Sequence, residues 1–146
     1  MTDQNKAGKA LLDLFAEFSV DQKLAQEGAE LQVGGTTFKI AKANNPEYLA
    51  ERNKLMLEAM EQFKPEDRVE SNKAWTEATV DAMRKAYAKC VLVGWDKLKF
   101  KGRIVEGYDA DVAYALMQLD DFADIVLSFA SNRKNYSVIT EDEAKN

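Results

Sequence analysis

The sequence contains no histidine. That absence removes Ser–His and Cys–His nucleophile pairs, histidine-ligated metal sites and the commonest general base. A single cysteine, Cys90, leaves no internal disulfide and no zinc cluster, and it fits a reducing compartment. No apolar run approaches the roughly 20 residues that span a bilayer. The polar start, Met1-Thr2-Asp3-Gln4-Asn5-Lys6, lacks the apolar centre of a signal peptide. There is no Pro/Gly-rich linker, no low-complexity segment and no internal repeat, so nothing divides the 146 residues, a length suited to one domain. Basic excess is missing too. The 25 Asp+Glu outweigh the 20 Lys+Arg for a net charge of -5, opposite in sign to most duplex-binding domains. What remains is 46% apolar residues, enough for one core in an acidic domain that points away from enzyme chemistry.

Hydrophobic spacing organises the chain. Leu11, Leu14, Phe15 and Phe18 predict a helix over about 5–18, with Ser19 and Asp21 as turn or cap residues. Residues 29–43 change period, and two short β-prone runs flank Gly34-Gly35. This predicts a hairpin with Phe38 and Ile40 on one face. Asn45-Pro46-Glu47 starts a helix, with Asn45 as its cap and Tyr48, Leu49, Leu55, Met56, Ala59, Met60 and Phe63 on its stripe. Lys64-Pro65 ends it. The next stripe, Trp75, Ala78, Ala82, Met83, Ala86, Tyr87, Cys90 and Val91, predicts the longest helix, stopped at Gly94. Residues 95–108 read as a connector with strand character. Asp109 and Asp111 open a helix through Leu116 and Leu119, and Asp120-Asp121 open another carrying Phe122, Ile125, Val126, Phe129 and Ala130.

Each chemical reading of these segments has a plainer rival. The Gly34-Gly35 pair lacks the lysine and following Ser/Thr of a phosphate loop, so a turn is the better account. Cys90 lies within a helical stripe, which favours a structural thiol. Asp109 and Asp111 lack the glycine and distal glutamate of a calcium loop, and Asp120, Asp121 and Asp124 have no partner motif that would form a cleft. Lys97, Lys99, Lys101 and Arg103, interleaved with Trp95 and Phe100, could line a nucleic-acid strip, but a solvated hairpin edge guarded by lysines is the simpler reading. No residue is assigned a catalytic, cofactor-binding or metal-binding role, and no cofactor is expected.

Three blocks together resemble a known family. The first is Gly35-Thr36-Thr37-Phe38-Lys39-Ile40-Ala41-Lys42-Ala43-Asn44-Asn45-Pro46-Glu47-Tyr48. The second is Val93-Gly94-Trp95-Asp96, then Gly102, then Tyr108-Asp109 and a helix through Leu116. The third is Phe122-Ala123-Asp124-Ile125-Val126, then Phe129-Ala130-Ser131 and Tyr136. Their order and spacing across residues 30–136 resemble the tail assembly chaperones of long-tailed (siphovirus-type) bacteriophages, although the connector here is lysine-rich where the family's is acidic.

The resemblance implies a protein that is not an enzyme. It binds the phage tape-measure protein, keeps its hydrophobic helices soluble, helps recruit tail-tube subunits and is absent from the finished virion. It acts in the host cytoplasm, with no nucleic-acid or membrane partner, and self-association is compatible with that role. Many members also exist as a longer form made by translational frameshift, through which the tail-tube protein is engaged. This chain would be the short form, and Ala144-Lys145-Asn146 is what a slippery GCA-AAA-AAC would encode. Met56, Met60 and Met83 lie on helical stripes and suit an adaptable apolar surface for the client. A small structural or connector subunit of the phage tail is the alternative. The expected fold is mainly α: a small helical domain over 1–136, with at least four helices and a short N-terminal β-hairpin (α+β, helix-dominated), followed by a flexible charged tail over 137–146. Trp95 is expected to be partly buried where the long helix ends.

Overall fold

The structure, a computed structural model, describes residues 11–138. The expected tail from residue 139 onward, including Lys145-Asn146, lies outside the described residues, as do residues 5–10 of the first expected helix. In chain order the elements are α1 (Leu14–Glu17), α2 (Gln22–Glu27), β1 (Ala29–Val33), β2 (Thr36–Ile40), α3 (Pro46–Glu61), α4 (Lys73–Cys90), β3 (Leu92–Trp95), β4 (Lys97–Phe100), β5 (Arg103–Glu106), α5 (Ala110–Met117) and α6 (Asp120–Ser131). Short 3-10 turns lie at Pro65–Asp67 and Arg133–Tyr136. The mainly α, helix-dominated fold predicted from the sequence is corrected by this architecture. Among the described residues it is mixed α+β, 55% helix and 19% strand, with two small antiparallel sheets instead of one hairpin.

Two departures from the helical reading produce the extra strands. The α4 stripe does not run to Gly94. The helix ends at Cys90, and Leu92–Trp95 extends to become β3, with Gly94 inside the strand opposite Lys39. Val91-Leu92-Val93 is an aliphatic run with two β-branched residues, which favours extended backbone once a partner strand is available. The connector then folds into a second hairpin, β4 against β5, with Lys97 opposite Glu106 and Phe100 opposite Arg103. Its two-residue turn holds Lys101 and Gly102 at positive φ (49° and 85°).

The first hairpin forms as the sequence indicates. Val33 pairs with Thr36 across Gly34-Gly35, and both glycines have positive φ (60° and 83°), the mark of a primed turn whose twist matches that of the strands. β3 completes a three-stranded sheet in the order β1-β2-β3. Phe38 in β2 is the hub of its buried face. Its ring meets Trp95 edge-on at 6.2 Å and Phe122 of α6 at 5.3 Å, and Trp95 in turn lies 5.5 Å from Tyr108. Aromatic pairs of this geometry add to the area they bury.

Helices α3 and α4 form an antiparallel pair. The stacked rings of Tyr48 and Tyr87 hold its base, with centroids 4.7 Å apart, and Phe63 packs edge-on against Trp75 at its far end. Asn45 caps α3 as predicted, accepting from Tyr48 N–H at 2.9 Å, while its Nδ2 donates to the carbonyls of Lys42 and Cys90. At the last residue of β2, buried Tyr136 donates to the Ile40 carbonyl at 2.8 Å, and Val20 forms a bridge with Ser137. Among the described residues, no helix is long and apolar enough to cross a membrane.

Asp96 ties the two sheets together. One carboxylate oxygen accepts the Lys97 N–H at 2.6 Å and the Thr37 N–H at 3.1 Å, while Thr36 Oγ1 donates to the Lys97 carbonyl. The Lys97 and Thr37 N–H groups hold the Asp96 carboxyl below the usual carboxylate range.

Trp95 is 6% exposed, yet its buried Nε1 has no hydrogen-bond partner. Trp95→Ala should therefore cost about 3–5 kcal/mol by denaturant titration. Trp95→Phe, which also removes the unpaired N–H, should cost clearly less; equal losses would contradict the packing described. For Asp96 the lowered folded value means that its stabilisation is present above the usual carboxylate range and is lost as pH falls through that range. The melting temperatures of the wild type and Asp96→Asn should differ near neutral pH and converge below about pH 4. A gap that persists unchanged into acid would refute that role.

Candidate functional site

The largest departure from ordinary burial lies at the start of the described chain. The stripe of Leu11, Leu14, Phe15 and Phe18, predicted to lie on a helix over about 5–18, lies outside the core. Its described part is the single turn α1, capped by Asp13, which accepts from Ala16 N–H at 3.2 Å. Leu11 is 98% exposed, Phe15 86% and Phe18 57%, and Leu12 and Leu14 are exposed beside them. Five large apolar side chains in eight residues form a local concentration of apolar surface unlike the scattered single residues found on most protein exteriors.

The segment is anchored on the domain. Arg133 donates to the Glu17 carbonyl at 2.9 Å and to the Glu17 carboxylate at 3.1 Å, and its guanidinium lies 4.3 Å from the centre of the Phe18 ring. Three residues beyond Phe18, Asp21 N–H donates to the Tyr136 carbonyl at 2.8 Å, and the Asp21 carboxylate caps α2 through Lys23 and Leu24. The backbone of α1 is thus fixed at both its last turn and its exit, while its apolar side chains stay in solvent. Such an arrangement offers a partner apolar area without the cost of first ordering the backbone.

The methionines singled out by their spacing are not gathered into one groove. Met56 and Met60 are half-buried on α3, and Met83, 38% exposed, is on α4. The cleft between these helices, about 170 Å³ and lined by Leu55, Ala59, Ala78 and Ala82 among others, includes none of the three. It is far too small for a helix, which is about 10 Å across with its side chains.

The remaining sequence candidates resolve structurally. Cys90 is buried, and burial, reinforced by the Glu51 carboxylate, raises its thiol above the usual range, so it is not poised as a nucleophile. Asp109 caps α5 through Val112 N–H at 3.0 Å. Asp120 pairs with Arg84 at 2.7 Å. On the second hairpin, Lys97 and Lys99 point outward but Trp95 is buried, so the interleaved stacking platform considered for nucleic acid is not formed. Among the described residues, no group of three His, Cys, Asp or Glu side chains could hold a metal ion.

Sequence reasoning missed two contributors. Leu12 falls off the helical stripe and carried no periodic signal. Arg133 meets Glu17 across 116 positions, a pairing with no local trace in the sequence. No family model matches the chain, and comparison with curated proteins and with solved structures finds no match.

Anchor and apolar face should separate on mutation. Arg133→Ala should lower stability by about 1–2 kcal/mol through the loss of the carbonyl bond, the ion pair and the ring contact. Phe15→Asp should change it by no more than about 0.5 kcal/mol. A large loss of stability from Phe15→Asp would show that the ring packs inward.

Proposed function

We propose that this chain is a tail assembly chaperone of a long-tailed phage, a binding protein that shields the apolar helices of the tape-measure protein in the host cytoplasm and leaves before the virion is complete. The observation that carries the reading is the anchored, exposed apolar segment Leu11–Phe18. An apolar client helix presents a stripe of large side chains, and a second short apolar stripe can cover part of it. The whole chain's net charge of -5 supports the same role, because a complex that buries the apolar segment stays dispersed through its surface charge. The order of the Asn45-Pro46-x-Tyr48, Gly94-Trp95-Asp96 and Phe122–Tyr136 blocks supports the family assignment. On this reading the chain works by binding alone, and tail-tube subunits are recruited through a frameshifted longer form.

Co-expression with the tape-measure protein of the same genome tests the proposal. The tape-measure protein should become more soluble and should co-purify with this chain, and the double variant Leu14→Asp/Phe15→Asp should lose both effects while keeping its melting temperature. If the tape-measure protein is equally soluble alone and nothing co-purifies, the proposal fails.

A further inference from the structure

β1 is an edge strand. Among the described residues it has a strand on one side only, β2. The register of the first hairpin determines what the free edge presents. In a two-residue hairpin the pair flanking the turn exchanges both backbone hydrogen bonds, and such pairs then alternate along the ladder. With Val33 opposite Thr36, Leu31 opposite Phe38 and Ala29 opposite Ile40, the N–H and C=O groups of Val33, Leu31 and Ala29 are directed at β2. Those of Glu30 and Gln32 point outward.

We infer that this edge pairs antiparallel with the same edge of a second copy, joining two three-stranded sheets into one of six strands about a two-fold axis at Leu31. The argument is self-complementarity. A two-fold axis perpendicular to the sheet keeps the buried faces on one side and allows only registers that place a residue opposite itself. An axis at Glu30 would oppose two like charges, which is unfavourable. An axis at Leu31 sets Glu30 across from the partner's Gln32, and Gln32 across from the partner's Glu30. Both residues carry outward backbone groups, so the register forms four backbone hydrogen bonds and pairs all five residues of the strand. On the solvent face Glu30 keeps Lys39 as its other cross-strand neighbour, which balances its charge. On the inner face Leu31, half-buried in one copy, meets the partner's Leu31, and Ala29 meets the partner's Val33. Just beyond the strand ends, Gly28 approaches the partner's Gly34, so no side chain stands between the copies there.

An edge of five residues buries less area than a standard interface, so the association is weak. It also needs nothing from the client. It is tested on the full chain alone, by sedimentation velocity over a micromolar to sub-millimolar range. The wild type should shift from monomer to dimer with concentration. Gln32→Pro removes an outward N–H that a lone chain leaves to solvent, a position where edge strands tolerate proline, and should abolish the shift. A charge pair then tests the register itself. Gln32→Lys, facing the partner's Glu30 twice per dimer, should tighten association by about fivefold at low salt, and Gln32→Glu should weaken it by a similar factor. A wild type that stays monomeric throughout, because the edge is covered by another part of the chain or kept for an extended client segment, would overturn the inference. So would a dimer indifferent to Gln32→Pro, or Lys and Glu variants that shift association in the same direction.

Discussion

The end of α4 is the junction on which the rest of the structure depends. A helix leaves its last carbonyls without intrahelical partners, and a buried helix end must find others. Here the Cys90 carbonyl accepts from Asn45 Nδ2 at 3.0 Å and the Val91 carbonyl accepts from Ala41 N–H at 2.7 Å. Both donors lie between β2 and α3, so closing the helix end also brings α4 onto the first hairpin and aligns β3 beside β2. Asn45 is buried and serves three partners at once: the start of α3, the turn before it and the end of α4. Moving that one amide would leave buried polar groups unpaired at the start of α3 and at the end of α4, where β3 departs.

Local chemistry was readable from the sequence wherever a few neighbouring residues decide the conformation. Gly34-Gly35 between β-prone runs and Asn45-Pro46 before an apolar stripe each encode their structure within about four positions, and the hairpin and the α3 cap form accordingly. The α4 end did not follow from periodicity. Val91 continues the helical stripe, but the chain exits there because β2 supplies a ladder partner some fifty residues earlier. The second hairpin was visible only as strand character in residues 95–108 and a lysine-guarded edge, with no turn to place it. Its turn uses Lys101 at positive φ, which no sequence rule would select. The fold class therefore shifted from helix-dominated to mixed through long-range pairing that single-sequence periodicity does not encode.

The site was half legible for a related reason. Leu11, Leu14, Phe15 and Phe18 stood out as a helical stripe, yet a stripe does not say whether it faces the molecule's own core or a partner's. In this fold the buried positions beside the sheet are already filled by Phe122 and Val126 of α6 and by Tyr136, and Arg133 secures α1 by its backbone and by Glu17 rather than by burying its leucines. Core saturation, which depends on volumes contributed by distant segments, is what leaves the N-terminal stripe outside.

On the proposed reading, a pre-anchored apolar segment, and not a concave pocket, is the working surface. Hydrogen exchange on the full chain with and without tape-measure protein addresses it most directly. The amides of α1 and its flanks, exposed in a single helical turn, should gain protection on complex formation, whereas those bordering the cleft between α3 and α4 should be unchanged. Protection confined to the α3–α4 pair, with exchange in α1 unaltered, would contradict it.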